Sequence, residues 1–259
     1  MKFRFIDFLH FIRWGNLLMI IFLLVVIKYY FESSGLPTQM DPILFTLFVT
    51  SICCIAAAGY IVNDRTDITA DSVNKPKRVI VGVKISEETA GRLYLLLNSM
   101  GIVIGIIISM ALKRPSLSLW FIISSLLLWW YSKKLKGIPL VGNITVATLM
   151  VIMILLSGML DLGDTFNYDA QPQSFTIVVL LSVFAFTTNL VREIIKDIQD
   201  IDGDKKAQLR TLPIVFGRIR SSKLAFTILC IPLVLLVWII INLNETQQIL
   251  SLYILFLVI

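Results

Sequence analysis

Apolar residues in this chain are massed into long runs, near 14–31, 41–62, 88–112, 117–131, 138–160, 175–195, 222–243 and 247–259, with short polar stretches between them. A helix crossing ~30 Å of hydrocarbon needs ~20 apolar residues. The first seven runs are read as such spans, the fourth being short at its strict core. The eighth holds thirteen residues; at ~1.5 Å per residue it reaches only ~20 Å, so it accounts for part of a crossing. The pattern predicts an all-α fold, a polytopic transmembrane helical bundle with seven spans and a partial eighth, as a single domain over 1–259.

Composition agrees: 57% of residues are hydrophobic and 15% charged, with a mean hydropathy of +0.86. Soluble domains carry ~25% charged residues. Cys53, Cys54 and Cys230 lie inside apolar runs and are read as small hydrophobes. No small-residue cleavage site follows the first run, so the N-terminus is expected to be mature. With that terminus cytoplasmic, 20 of the 23 Lys and Arg fall in inside segments, leaving Lys28, Lys113 and Arg114 outside. That asymmetry predicts orientation. The net charge of +6 is therefore a topology signal; without a basic-aromatic module, nucleic-acid binding is not expected.

Where the second and sixth spans emerge on the inner side, acids recur at one spacing. Asp64, Asp67 and Asp71 are repeated as Asp197, Asp200 and Asp204, each pair 133 positions apart. At ~100° per residue these spacings put each triplet on one helix face, with Asn63 at the edge. Carboxylates so close repel unless a cation joins them, and hard oxygen donors without His or Cys select Mg²⁺ over zinc. The lone His10 lies far off in sequence. Mg²⁺ sites are commonly completed by substrate phosphates, and cations follow each cluster: Lys75, Lys77 and Arg78, then Lys205, Lys206 and Arg210. Two acidic walls with basic flanks predict a diphosphate clamp at the membrane surface. Taken singly, each lysine is equally accounted for by membrane topology.

Asn63-Asp64-x-x-Asp67-x-x-x-Asp71 with Asn74-Lys75-Pro76-x-Arg78 resembles the first signature of the UbiA-type intramembrane prenyltransferases, and Lys196-Asp197-x-x-Asp200-x-x-Gly203-Asp204 with Thr211-Leu212-Pro213 resembles the second. Tyr131-Ser132-Lys133-Lys134-Leu135-Lys136, followed by Gly142-Asn143, is similar to a third conserved stretch. The resemblance implies nine spans in two four-helix halves plus one, here about 1–137 and 138–259, so a ninth helix is unaccounted for. It implies that Asn63, Asp67, Asp71, Asp197, Asp200 and Asp204 hold Mg²⁺. Lys75, Arg78, Lys136, Lys196, Lys205 and Arg210 would meet the diphosphate, with Tyr131 and Ser132 closing the cavity. Asp64, Lys196 and Tyr131 are the candidates for the chemistry.

The expected reaction is Mg²⁺-dependent prenyl transfer from an allylic isoprenyl diphosphate to a lipid or aromatic acceptor. Geranylgeranylglyceryl phosphate is preferred and a homogentisate-type quinone precursor is the alternative; no obligate protein partner is evident. An allylic cation favours negative π-faces, for which Tyr60, Trp129, Trp130, Tyr131 and Phe186 are candidates. Trp129 and Trp130 equally suit an interfacial aromatic belt. A cation transporter would carry its acids near the midplane. A CDP-alcohol phosphotransferase needs D-x-x-D-G-x-x-A-R, where this chain has Gln199 at the first aspartate and no Arg after Ala207. The stretch Leu160–Ser174 is read as a solvated outer turn, and Gly101 and Gly105 as positions of close helix packing.

Overall fold

The computed structural model describes residues 4–76 and 79–241. Among them are eleven α-helices and no β-strand, only an isolated bridge between Val81 and Ile85. A short helix α1 (Phe5–Phe11) turns at Arg13 into α2 (Trp14–Ser33), and α3 (Pro42–Thr66) is followed by a surface helix α4 (Ile68–Asn74). Then come α5 (Glu87–Ala111), α6 (Ser118–Lys133), α7 (Val141–Asp161) and α8 (Pro172–Gln199). A second surface helix α9 (Ile201–Lys206), a turn α10 (Leu212–Phe216) and α11 (Arg218–Ile241) complete the described residues.

Helix starts follow local chemistry. Asp41 Oδ1 accepts the Leu44 amide at 2.8 Å with Pro42 at the first helical position, and Ser86 Oγ accepts the Thr89 amide at 3.1 Å ahead of Glu87 and Glu88. Each such cap contributes ~1 kcal/mol. α3 is the central helix: Phe48, Ala58 and Ile61 on it are fully buried against α5 and α6. Gly101 lets α5 approach, because a Cβ there would lie 2.9 Å from the Ser51 carbonyl; Ser51 Oγ instead donates to the Gly101 carbonyl at 2.6 Å. At Gly105 the ring of Phe121 fills the space of a side chain. Both glycines thus serve packing. Large apolar residues such as Phe22, Leu95 and Phe226 face outward, as a lipid-exposed surface requires.

Five helices, α2, α3, α5, α7 and α8, are long and apolar enough to cross a membrane. This is fewer than the seven spans expected from the runs. α6 has 16 residues, or ~24 Å, short of a ~30 Å core; α11 has 24 residues and carries Pro232 inside it. The partial eighth run, 247–259, lies outside the described residues.

The end of the bundle away from α4 and α9 is tied by charge. Lys28, 7% exposed, donates to the Met40 carbonyl at 2.6 Å and to Asp161 Oδ1 at 3.1 Å, and Asp161, 1% exposed, also accepts the Met40 amide at 2.9 Å. Arg114 meets Asp164 nearby at 2.9 Å. The expectation that 160–174 is merely a solvated turn is therefore corrected at Asp161. Its carboxylate is the buried partner of the α2 lysine and pins the 34–41 connection onto α7.

Candidate active site

Each acidic triplet is built by a long helix that breaks and restarts. α3 ends and α4 begins at Asp67, with φ −95° and ψ 5°; α8 ends and α9 begins at Asp200, with φ −95° and ψ 8°. The repeat in sequence is a repeat in backbone. It also corrects the continuous helix face expected for the acids, since in each triplet the middle acid is the hinge. Asp67 and Asp71 donate their amides to the carbonyls of Asn63 and Asp67, and Asp200 and Asp204 to those of Lys196 and Asp200.

α4 and α9 then pack on one another. Asn74 Nδ2 donates to the Asp200 carbonyl at 2.9 Å, and the Gly203 amide donates back to Asn74 Oδ1 at 2.8 Å. Glycine is required here: a Cβ on residue 203 would lie 2.5 Å from Asn74 Cγ and closer still to the Ala70 carbonyl oxygen. This contact brings the two acidic walls together.

Cations from elsewhere hold the carboxylates. Arg13 Nη2 donates to Asp64 Oδ1 at 2.8 Å, with its guanidinium 4.8 Å from the Tyr60 ring centroid. Arg13 is in the left-handed region at φ 52°, an unfavourable conformation for a non-glycine residue that marks a site under constraint. Lys75 crosses to Asp200 Oδ2 at 2.7 Å, and Lys136 pairs with Asp67, whose carboxylate also accepts Asn63 Nδ2 at 2.6 Å. Asn143 donates to Asp197 at 2.8 Å. Burial disfavours the Lys136 ammonium, yet the carboxylates of Asp67, Asp204 and Asp71 outweigh it and hold its pKa above the usual lysine value. Burial likewise lifts the carboxyls of Asp71 and Asp204, each with a neighbouring acid adding to it.

Among the described residues no three Asp, Glu, His or Cys side chains converge as placed into a metal-ligating group. The donor set nonetheless fits a hard cation. Asp71 and Asp204 have no ion pair among the described residues, and the buried Asn63 Oδ1 has no hydrogen-bond donor. A carbonyl and two carboxylates left without positive partners at one surface suit an oxygen-seeking ion.

Of the remaining candidates, Tyr131 and Ser132 are buried at the end of α6. Lys196 pairs with Glu193 at 3.3 Å on its own helix. Lys205 and Arg210 are exposed and make no ion pair among the described residues, so the structure does not bring them to the acids. Arg78 lies outside the described residues. Trp129 and Trp130 are 45% and 52% exposed on the outer surface, as an interfacial belt requires. Sequence reasoning missed Arg13, which only the turn before α2 brings to Asp64, and Glu193, 5% exposed. The acid at 193 stands one helical turn before Lys196, a spacing that offered a signal.

The UbiA prenyltransferase family profile matches residues 17–259. A digeranylgeranylglyceryl phosphate synthase of Methanobrevibacter smithii is 30% identical over 220 residues, 85% of this chain and 72% of that protein. A solved digeranylgeranylglyceryl phosphate synthase superposes with a TM-score of 0.65 at 25% identity, covering 95% of this chain and 82% of that one. A UbiA homologue from Archaeoglobus fulgidus, bound to DMAPP and Mg²⁺, shares the fold with a TM-score of 0.67 at 17% identity, covering 96% and 83%. An all-helical bundle with two broken acidic helices, matched along nearly its whole length, makes this integral membrane protein a member of the UbiA prenyltransferase family.

Proposed function

We propose that this chain transfers a geranylgeranyl group from its diphosphate to the free hydroxyl of geranylgeranylglyceryl phosphate, at a cytoplasmic site formed by two halves, about 1–137 and 138–259. The observation that carries the reading is the reciprocal Asn74–Gly203 contact, which joins two acidic walls of identical spacing. The likeness in sequence to digeranylgeranylglyceryl phosphate synthases supports this acceptor. In this reading α6 and α11 also cross the membrane, within the family's nine-span plan.

Asn63, Asp67 and Asp71 on one wall, and Asp197, Asp200 and Asp204 on the other, would hold Mg²⁺, which when bound supplies positive charge against the departing diphosphate. Lys75, Lys136 and Lys196 orient that diphosphate and, with Arg78, neutralise the oxygens it gains charge on; Lys205 and Arg210, exposed and away from the acids, would reach it only on binding. Tyr131 and Ser132 close the cavity below and keep water from the allylic carbon. Asp64 receives the acceptor's hydroxyl proton as the new C–O bond forms and the C–O bond to diphosphate breaks. Arg13 keeps that carboxylate charged and fixed through one oxygen.

The test is a transfer assay on membranes holding the full chain, with radiolabelled geranylgeranyl diphosphate and geranylgeranylglyceryl phosphate, in Mg²⁺ and in EDTA. Product should require Mg²⁺ and vanish in Asp67→Ala and Asp200→Ala. A folded wild-type chain that gives no product, or product indifferent to both substitutions, would overturn the reading. For orientation, a membrane-impermeant thiol reagent should label Asn167→Cys and not Ser72→Cys in intact cells, on a background without native cysteines.

A further inference from the structure

Beside the clamp lies an open cavity of about 390 Å³ whose walls include Thr66, Lys133, Lys134, Lys136, Lys206 and Ala207. Its one carboxylate, Asp67, is already paired with Lys136. Lys133, Lys134 and Lys206 have no acidic partner among the described residues. Three exposed lysines without an acid line one space whose fourth, Lys136, is spoken for, and such like charges favour the entry of an anion.

The internal repeat explains why the space exists. Asn74 fills the interface on one side by reaching to Asp200 and Gly203. The position 133 residues on is Ala207, whose counterpart partners would be Asp67 and Ala70. Alanine cannot reach them, and the cavity lies between Ala207 and Asp67. The next pair diverges likewise: Lys75 crosses to Asp200, whereas its counterpart Gln208, in the left-handed region at φ 57°, is an uncharged residue lining the cavity. One side of the repeat is latched and the other is left open and basic.

We infer that this cavity binds a phosphate monoester, the phosphate of the glyceryl acceptor, as a second anion site beside the diphosphate clamp. The inference rests on the proposed reaction for the identity of the acceptor. A phosphate monoester placed among the six carboxylates of the walls would be repelled, whereas here lysines and the Thr66 hydroxyl offer donors. The site must also be near, because only a few bonds separate a glyceryl phosphate from its free hydroxyl. Asp67, Lys136 and Ser132 belong to both the cavity and the clamp.

The experiment compares the wild-type chain with Lys133→Ala/Lys206→Ala and with Ala207→Asn, which rebuilds the missing latch side chain, in vesicles of neutral lipid. Both variants should raise the KM for geranylgeranylglyceryl phosphate roughly tenfold, lower its preference over the phosphate-free alcohol by the same factor, and leave the KM for geranylgeranyl diphosphate in place. A parallel rise for the donor would overturn the inference by assigning the cavity to the diphosphate, and no change in either would reduce the lysines to topology signals. An effect seen only in anionic vesicles would assign them to the lipid surface and also overturn it. Binding of an acceptor analogue with its hydroxyl methylated, competed by inorganic phosphate, reads the cavity without turnover. If wild-type protein binds the analogue and both variants do not, yet no transfer occurs, the cavity stands and the reaction is at fault; if wild-type protein does not bind it, the cavity assignment fails.

Discussion

Gly203→Ala tests whether the contact between the two surface helices sets the distance between the acidic walls. Local propensity argues for stabilisation, since alanine is favoured over glycine inside a helix by ~1 kcal/mol. Packing argues the other way and is larger. The new Cβ would lie 2.5 Å from Asn74 Cγ and against the Ala70 carbonyl, both on α4. Forced overpacking costs ~1–3 kcal/mol, and separating the helices removes two hydrogen bonds, from Asn74 to the Asp200 carbonyl and from Gly203 to Asn74, each worth ~1 kcal/mol. The balance is a loss of roughly 2–4 kcal/mol, concentrated at α4 and α9. A shift of ~1 Å between the walls would lower the transfer rate ~100-fold. The assay pairs kcat for prenyl transfer with thermal unfolding in detergent, and Asn74→Ala in the same background should recover part of both by relieving one of the two clashes. Gly203→Ala with wild-type kcat and an unchanged or raised Tm would refute the reasoning, because the propensity gain would then stand unopposed.

Three further outcomes follow from charges the bundle buries. Lys28→Met should cost ~3–5 kcal/mol by stranding the buried Asp161 carboxylate, Asp161→Ala less because Glu32 stays 3.3 Å from Lys28, and Lys28→Met/Asp161→Leu should recover most of the larger loss in the same melting experiment. Arg13→Ala should lower kcat more than Arg13→Lys, since lysine restores the charge beside Asp64 but not the forked geometry; equal losses would remove Arg13 from the chemistry. At the N-terminal edge, a hydrogen bond from Lys84 at 2.6 Å and the Arg4 amide hold the Asp7 carboxyl below its ordinary value. A depressed carboxyl contributes stability that is present above its unfolded value and lost as pH falls through the folded one. Limited proteolysis should therefore release α1 (Phe5–Phe11) in strongly acid buffer and not near neutrality, and Asp7→Asn should abolish that pH dependence.

The acidic residues were legible because chemistry and repetition coincide: three aspartates near an apolar run are costly, and the same three at the same spacing 133 residues later are not casual. Their break into two helices at Asp67 and Asp200 was not, since nothing at those positions departs from helical preference strongly enough to announce it. Arg13 escaped notice because its role depends on a left-handed turn, and Asp161 because an acid in an outer connection resembles a solvated one until Lys28 is found beside it. At the fourth apolar run, pattern and length part company. The run 117–131 is interrupted only by Ser118, Ser124 and Ser125, and the helix it forms has 16 residues. Gly203 and Ala207 are informative only once α4 and α9 are seen to touch.

The Lys28–Asp161 pair has a consequence for how a long isoprenoid chain enters. A lateral doorway needs helices to part, and at the Lys28 end parting would leave Asp161 as a bare charge toward hydrocarbon, since Glu32, 3.3 Å from Lys28 on the same helix, would stay with the lysine. At the opposite end, Lys75 and Lys136 grip carboxylates through bonds that an arriving anion would take over. The bundle is thus riveted at one end and buttoned at the other, and a doorway would cost least at the buttoned end.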